Sequence, residues 1–258
     1  MDVFVKFFSQ DLNAGDLVGP AILEKLTGKP VTAVPLKDYD TETLHYMCVG
    51  STLAHATAQT VLWSTGLQLA TLRPRGNPLK ILGVRGPLTA AALRHCGCEE
   101  VRVIGDGALS LPALFPPAQL TTHEWGWIPH YVDIAEPFAA LADENAAVIS
   151  PQQSLPDYIR RLTSCRTIVS SSLHGLIIAH AYGIPALYAK VSDRVFGGGF
   201  KFRDYYAFVG VEAQDIPIWD FTSDVRNNLS RATCPILPAI AKDQLPILQE
   251  DLAHRGFV

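Results

Sequence analysis

Short apolar runs alternate with amphipathic helical stretches along most of this chain, and that alternation constrains the fold more than any single motif does. "VFVKFF" (3–8) reads as a first strand, and "LVGPAILEKLTG" (17–28) as a helix closed by its glycine. "LHYMCVG" (44–50) and "VLWSTG" (61–66) are strand-like runs that end in glycine. "KILGVRGPLTAAALRHCG" (80–97) reads as strand, turn and helix, with Pro87 suited to the first helical turn and Gly97 to the stop. "EVRVIGDG" (100–107) reads as a strand entering an acidic glycine turn. This order argues for parallel βαβ layers.

The stretch "LPALFPPAQLTTHEWGW" (111–127) interrupts the pattern with Pro112, Pro116 and Pro117 and is the candidate linker. The alternation then restarts as "WGWIPHYV" strand, "DIAEPFAALAD" helix, "NAAVIS" strand, "LPDYIRRLTSC" helix and "RTIVSS" strand. "HGLIIAHAYG" follows as a helix, "IPALYAK" (184–190) as a strand, and a tail that reads as a closing helix broken by Pro246. The expected fold class is α/β, with two Rossmann-like domains, 1–117 and 118–258, facing across a cleft. Ligands of such sheets bind beyond the carboxyl ends of the strands.

Composition narrows the partners. A chain of 258 residues, 48% hydrophobic and 18% charged, suits a soluble globular protein with a sizeable core. The net charge of -4, with both signs dispersed, gives no basic footprint for nucleic acid. "MDVFVKFF" lacks the charged lead and long apolar run of a signal peptide, and no run reaches the ~20 apolar residues that span a bilayer. The expectation is a cytoplasmic protein, at most peripheral to a membrane. The odd set Cys48, Cys96, Cys98, Cys165 and Cys234 is no disulfide framework, and Cys96 and Cys98 have no second ligand pair nearby for zinc. No metal is expected.

Four constellations fall where that fold would open a cleft. "NAGD" places Asn13 and Asp16 between the first strand and helix, either to meet a ligand or simply to cap the helix. "VRGP" puts Arg85 at a strand end, where its guanidinium would read an anion or anchor a surface ion pair. "SSSLHGLIIAHAYGIPAL" (170–187) sets Ser170, Ser171, Ser172 and His174 on the turn entering a helix, whose free N–H groups and dipole favour phosphate. His180, six residues on, lies off the face of His174. The fourth, "DRVFGGGFKFRDYY" (193–206), crowds Arg194, Lys201 and Arg203 around three glycines in a chain with only 21 Lys and Arg. No G-x-G-x-x-G, P-loop or G-x-S-x-G elbow is present. The residues themselves imply a small polyanion without a nucleotide handle.

Seven motifs in order carry a family resemblance: "NAGD", "GSTLAHA" (50–56), "VRGPLT" (84–89), "VIGDGALSLPALF" (103–115), "IPHYVD" (128–133), the Ser170–Leu187 run and "FKFRDYY" (200–206). Together they resemble the polysaccharide pyruvyltransferase family, in particular the short bacterial ketal pyruvate transferases of exopolysaccharide assembly, including the xanthan enzyme. The resemblance covers residues 1 to about 210. It implies two Rossmann-like domains in a glycosyltransferase-B-like arrangement, with the acceptor on the N-terminal side and the donor on the C-terminal side. It implies phosphoenolpyruvate as donor substrate, no cofactor, and a pyruvate ketal formed across two hydroxyls of a saccharide, lipid-linked at the cytoplasmic membrane face. Family positions carry over onto Arg85, Leu173 and His174. Two departures stand out: Ser172 occupies a place where longer members often carry arginine, and Gly107 replaces proline in the family's Gly-Asp-Pro.

The chemistry so implied assigns His174 as general acid/base, since an ordinary histidine titrates near ~6.5. Arg85, Ser171, Ser172, Leu173, His174, Gly175, Lys201 and Arg203 are the expected donor-binding set, with Arg85 and the basic loop balancing carboxylate and phosphate. Asn13, Asp16 and His130, on the opposite lip, are the expected acceptor set. Two other classes stay open: a nucleotide-sugar glycosyltransferase of the same architecture, and a non-catalytic subunit of polysaccharide assembly.

Overall fold

The computed structural model describes residues 2–9, 13–98, 100–134, 145–219 and 223–258, and among them ten strands form two five-stranded sheets. The first sheet contains β1 (Val3–Lys6), β2 (Val31–Val34), β3 (His45–Met47), β4 (Thr60–Trp63) and β5 (Lys80–Gly83), in the order β2-β1-β3-β4-β5. The second contains β6 (His123–Ile128), β7 (Ala146–Val148), β8 (Cys165–Ser170), β9 (Ala186–Ala189) and β10 (Ile218–Trp219), in the order β10-β9-β8-β6-β7. Every ladder between these strands is parallel. Numbered within its own half, the second sheet has the same 2-1-3-4-5 order as the first. Winding reverses between β1 and β3 and again between β6 and β8, and at such switch points a crevice opens beyond the strand ends.

The strands form where the sequence is apolar on both faces. β3 and β4 are buried at every residue, as a parallel sheet covered by helices requires. β2 is mostly exposed and lies between Pro30 and Pro35, so its apolar pattern is too weak to read from sequence. The strand expected over 100–107 is reduced to one parallel bridge, Val84 to Val103. Gly105, at φ 92°, turns the chain, and the Asp106 carboxylate accepts the Ala108 N–H to start a 3-10 segment, Gly107–Ala113.

Six α-helices are present among the described residues: α1 (Val18–Thr27), α2 (Pro87–Arg94), α3 (Leu155–Thr163), α4 (Leu173–Ala181), α5 (Phe200–Phe208) and α6 (Gln244–His254). Most of the helix expected over 133–143 lies outside the described residues. Pro246 does not break the closing helix. It is the third residue of α6, where its missing N–H is one of the first-turn donors that have no partner in any helix.

One apolar core runs from Val3, Ile22 and Val61 through Ala108 and Leu111 to Ile168, Leu176 and Ile177. The Gly107–Ala113 segment packs against both α1 and α4, and so joins the two sheets. Later elements return to the first sheet. α5 packs on α2, and α6 is tied back by Tyr46, whose hydroxyl donates to Asp251 at 2.8 Å, and by Trp63, whose Nε1 donates to the Gln244 carbonyl at 3.0 Å. Lys80 adds an ion pair to Asp251 at 2.7 Å. No helix among the described residues is long and apolar enough to cross a membrane.

Candidate active site

A cavity of about 180 Å³ opens where the two switch points meet, and its lining follows the carboxyl ends of strands from both sheets. Asn13 and Asp16 follow β1, Ser51, Thr52 and His55 follow β3, and Gln68 follows β4. His130 and Tyr131 follow β6, Ser172, Leu173 and His174 follow β8, and Arg194, Phe196 and Lys201 follow β9.

The His174 side is built by helix α4. Ser170 ends β8 and spans the turn: its hydroxyl accepts the Ser172 N–H at 3.0 Å and lies 2.9 Å from the Ile128 carbonyl. No side chain caps the helix and no acid stands in its first turn, so the positive end of the dipole faces the cavity. The His174 ring lies against Gly15, where any Cβ would overlap its Nδ1. Its Nε2 is buried without a hydrogen-bond partner, although part of the side chain still reaches the cavity. Burial, then the cations Lys201 and Arg85, hold the His174 pKa down to about 3. His174 is therefore neutral in the free protein, and an anion beside it would reverse the field that keeps it so.

Lys201 enters from the first turn of α5, with Nζ 3.4 Å from His130 Nε2. Burial and Arg85 lower its pKa to about 8, against the pull of Asp16 and Asp133. His130, held by a bond from its own N–H to Ser171 Oγ at 2.7 Å, is lowered to about 3 by burial and then Lys201. Arg194 joins the lining and pairs with Asp133 at 3.3 Å.

Across from these groups, Asn13 Nδ2 donates to Asp16 Oδ2 at 2.7 Å, and Asn13 Oδ1 accepts the Gly15 N–H at 3.2 Å. The capping reading of Asp16 does not hold: α1 is capped at Leu17 with no side-chain bond, because the carboxyl turns to Asn13 instead. Burial raises the Asp16 pKa to about 7, more than Asn13 and Lys201 lower it.

Several expected site residues sit elsewhere. Arg85 is fully buried behind the cavity. Its Nε donates to Asp204 Oδ2 at 3.0 Å, Nη2 to the Leu67 carbonyl at 2.8 Å, and Nη1 to the lining hydroxyl of Ser51 at 2.7 Å. Arg85 does anchor an ion pair, but a fully buried one and not the surface pair expected. Asp204 also accepts the Thr89 N–H at 2.9 Å and the Thr89 hydroxyl at 2.7 Å, and a Cβ at Gly86 would overlap it. "VRGPLT" and "FKFRDYY" thus form one buried lock. Arg203 does not line the cavity. Two residues on a helix point about 200° apart, so it faces the glycine loop and donates to the Gly198 carbonyl at 2.8 Å. Gly175 packs against Ser170, and Ser171 positions His130. His130 itself stands with Lys201, not on the lip of Asn13 and Asp16, because it follows β6 of the second sheet.

Ser51, Thr52, His55 and Gln68 were not singled out from sequence. The first three lie in the quoted "GSTLAHA", where polar residues on a glycine turn were the available signal. Asp204, 119 residues from Arg85, had none. Among the described residues no group of three or more His, Cys, Asp or Glu is placed to hold a metal ion.

The sequence model of the polysaccharide pyruvyl transferase family matches residues 76–193. Over this segment the chain is similar to that family. The segment carries Arg85, His130, Ser172, Leu173 and His174. Over 250 residues the chain is 28% identical to protein L143 of Acanthamoeba polyphaga mimivirus, covering 94% of this chain and 86% of that one. Over 165 residues it is 31% identical to ExoV, a succinoglycan biosynthesis protein of Rhizobium meliloti strain 1021, covering 62% of this chain but half of ExoV. A solved Klebsiella pneumoniae structure, KP1_0663, aligns over 80% of this chain and 88% of its own with a TM-score of 0.44 and 13% identity.

Proposed function

We propose that this chain transfers pyruvate from phosphoenolpyruvate to two hydroxyls of a saccharide in exopolysaccharide assembly, forming a ketal without a cofactor. The observation that carries the reading is the unpartnered Nε2 of His174, at an uncapped helix N-terminus beside Lys201, inside a family-matched segment. A buried polar atom of this kind calls for a partner: an acceptor hydroxyl would donate to Nε2, which, once protonated, would donate to a phosphate oxygen. Lys201, Ser172 and the N–H groups of Leu173 and His174 would hold phosphate and carboxylate. Arg85 would add charge from behind Ser51, and Arg203 would act only by supporting the glycine loop.

His174 would receive a hydroxyl proton and pass it to the departing phosphate. Asn13 and Asp16 would orient the acceptor, with His130 reaching it from the donor side. The halves 1–117 and 118–258 would act as acceptor and donor domains of a glycosyltransferase-B-like enzyme, working in the cytoplasm on a lipid-linked sugar at the inner membrane face.

Isothermal titration of phosphoenolpyruvate into wild type and Lys201→Met tests the donor. Saturable binding, weakened in the variant, is expected. A nucleotide sugar that raises the melting temperature where phosphoenolpyruvate does not would overturn the reading in favour of a glycosyltransferase.

A further inference from the structure

Ketal formation sets a strict proton count. Two hydroxyl protons leave the acceptor, one must end on the methylene carbon of the donor and the other on phosphate. A group that can give a proton to carbon must stand in the cavity already protonated. In the free protein His174 and His130 are held neutral by burial and by Lys201, and a proton that His174 takes up beside phosphate is the one the departing phosphate needs. Lys201 has one, but surrendering it would leave a dianionic phosphate without its cation.

Resting on the donor reading above, we infer that Asp16 is the acid that protonates the methylene carbon of phosphoenolpyruvate. Among the described residues lining the cavity it is the one carboxyl. Asn13 fixes Oδ2, and Oδ1 takes no hydrogen bond from any described residue. Gly15, the residue before it, touches the His174 ring, and Asp16 and His174 line the same cavity. The charged and titratable groups facing it are His174 from α4, His130 after β6, Lys201 from α5, and Arg194 and His55 on the wall, with Arg85 behind Ser51. Burial keeps the proton on Asp16 up to about pH 7.

In the step, the electron pair of the donor C=C takes the Asp16 proton and the methylene becomes methyl. The central carbon, now oxocarbenium-like, forms a C–O bond to the first hydroxyl, whose proton returns to the Asp16 carboxylate. The C–O bond to phosphate breaks with its pair on phosphate. The second hydroxyl closes the ketal, and its proton passes through His174 to give hydrogen phosphate. Asp16 begins and ends protonated.

The test uses the full chain in wild-type, Asp16→Asn and Asp16→Glu forms. Carbon-13 NMR of aspartate carboxyls in the free protein should show one midpoint near 7 that Asp16→Asn lacks; a midpoint near 4 for Asp16 overturns the assignment. With p-nitrophenyl glucoside, galactoside and mannoside as acceptor probes, Asp16→Asn should bind phosphoenolpyruvate within threefold of wild type yet lower kcat by roughly 10²–10⁴-fold. Asp16→Glu should recover part of kcat. An unchanged kcat with a raised acceptor KM would mean Asp16 only binds sugar and would sink the inference. Absence of phosphoenolpyruvate binding to wild type would defeat the donor reading instead, and the carboxyl titration would still decide Asp16.

Discussion

The two halves share one strand order and differ in what they present at its switch point. After β1 and β3 the first half offers an amide, a carboxyl and hydroxyls: Asn13, Asp16, Ser51 and Thr52. After β6, β8 and β9 the second offers bases and cations: His130, His174, Arg194 and Lys201. The helix starts differ in the same sense. Neither helix has a side-chain cap or an acid in its first turn, but Asp16 stands just before the start of α1, whereas Ser172 stands before α4 and leaves its positive end to a ligand. Topology therefore decides where a site forms, and the few residues beyond each strand decide what charge it accepts.

The sharpest way to break this contrast is to remove the base of the second half. His174→Ala should lower phosphate release by roughly 10²–10⁴-fold with the fold intact by circular dichroism; a variant as active as wild type would leave the second half without a catalytic part. Next, Arg85→Ala should destabilise by roughly 3–5 kcal/mol, because it strands buried Asp204. That lowers the melting temperature about 2–4 °C per kcal/mol. Adding Asp204→Leu to an Arg85→Met change should restore most of the loss. If Arg85→Ala instead melts normally and loses donor binding, the guanidinium belongs to the cavity after all.

Smaller effects sharpen the picture. Lys201→Met removes a charge-assisted contact of about 1.5–3 kcal/mol, so the Kd for phosphoenolpyruvate should rise roughly 10- to 100-fold. The same change should move the imidazole titrations of His174 and His130 upward in proton NMR, since Lys201 lowers both.

Stability against pH tests the contrast directly, because the two lips should pull in opposite directions. Asp16 binds its proton more tightly folded than unfolded, so its contribution is complete below 3.8 and lost as pH rises towards about 7. His174 and His130 favour the neutral form when folded, so their contribution is complete above 6.5 and lost as pH falls towards about 3. Urea titrations across this range should show Asp16→Asn flattening the loss on the rising side and His174→Ala the loss on the falling side.

How much of this was legible in the sequence follows from how local each signal was. β3, β4, β8 and β9 could be read because each carries two or more adjacent buried apolar residues. β2 could not, since an exposed edge strand between two prolines has no such run. His174, Asp16 and Lys201 could be placed near a site because turn residues beyond strand ends mark one. The inward position of Arg85 could not, because its partner Asp204 comes from another half of the chain. Nor could the divergence of Lys201 from Arg203, which depends on where α5 begins. The raised Asp16 and lowered His174 depend on burial by residues far away in sequence, and no local motif carries that.

The return of α6 to the first sheet bears on how the molecule is made. Tyr46 waits for a carboxylate 205 residues downstream, and Trp63 for a carbonyl 181 residues away. On a ribosome adding about 5–20 residues per second, the amino-terminal sheet must stay incomplete for roughly 10–40 s, with the face that α6 will cover open to water. The second sheet has its last strand, Ile218–Trp219, before α6 begins at Gln244, and can be finished first. Synthesis order and completion order are reversed in this chain, so its early half is the part that a chaperone would have most reason to hold.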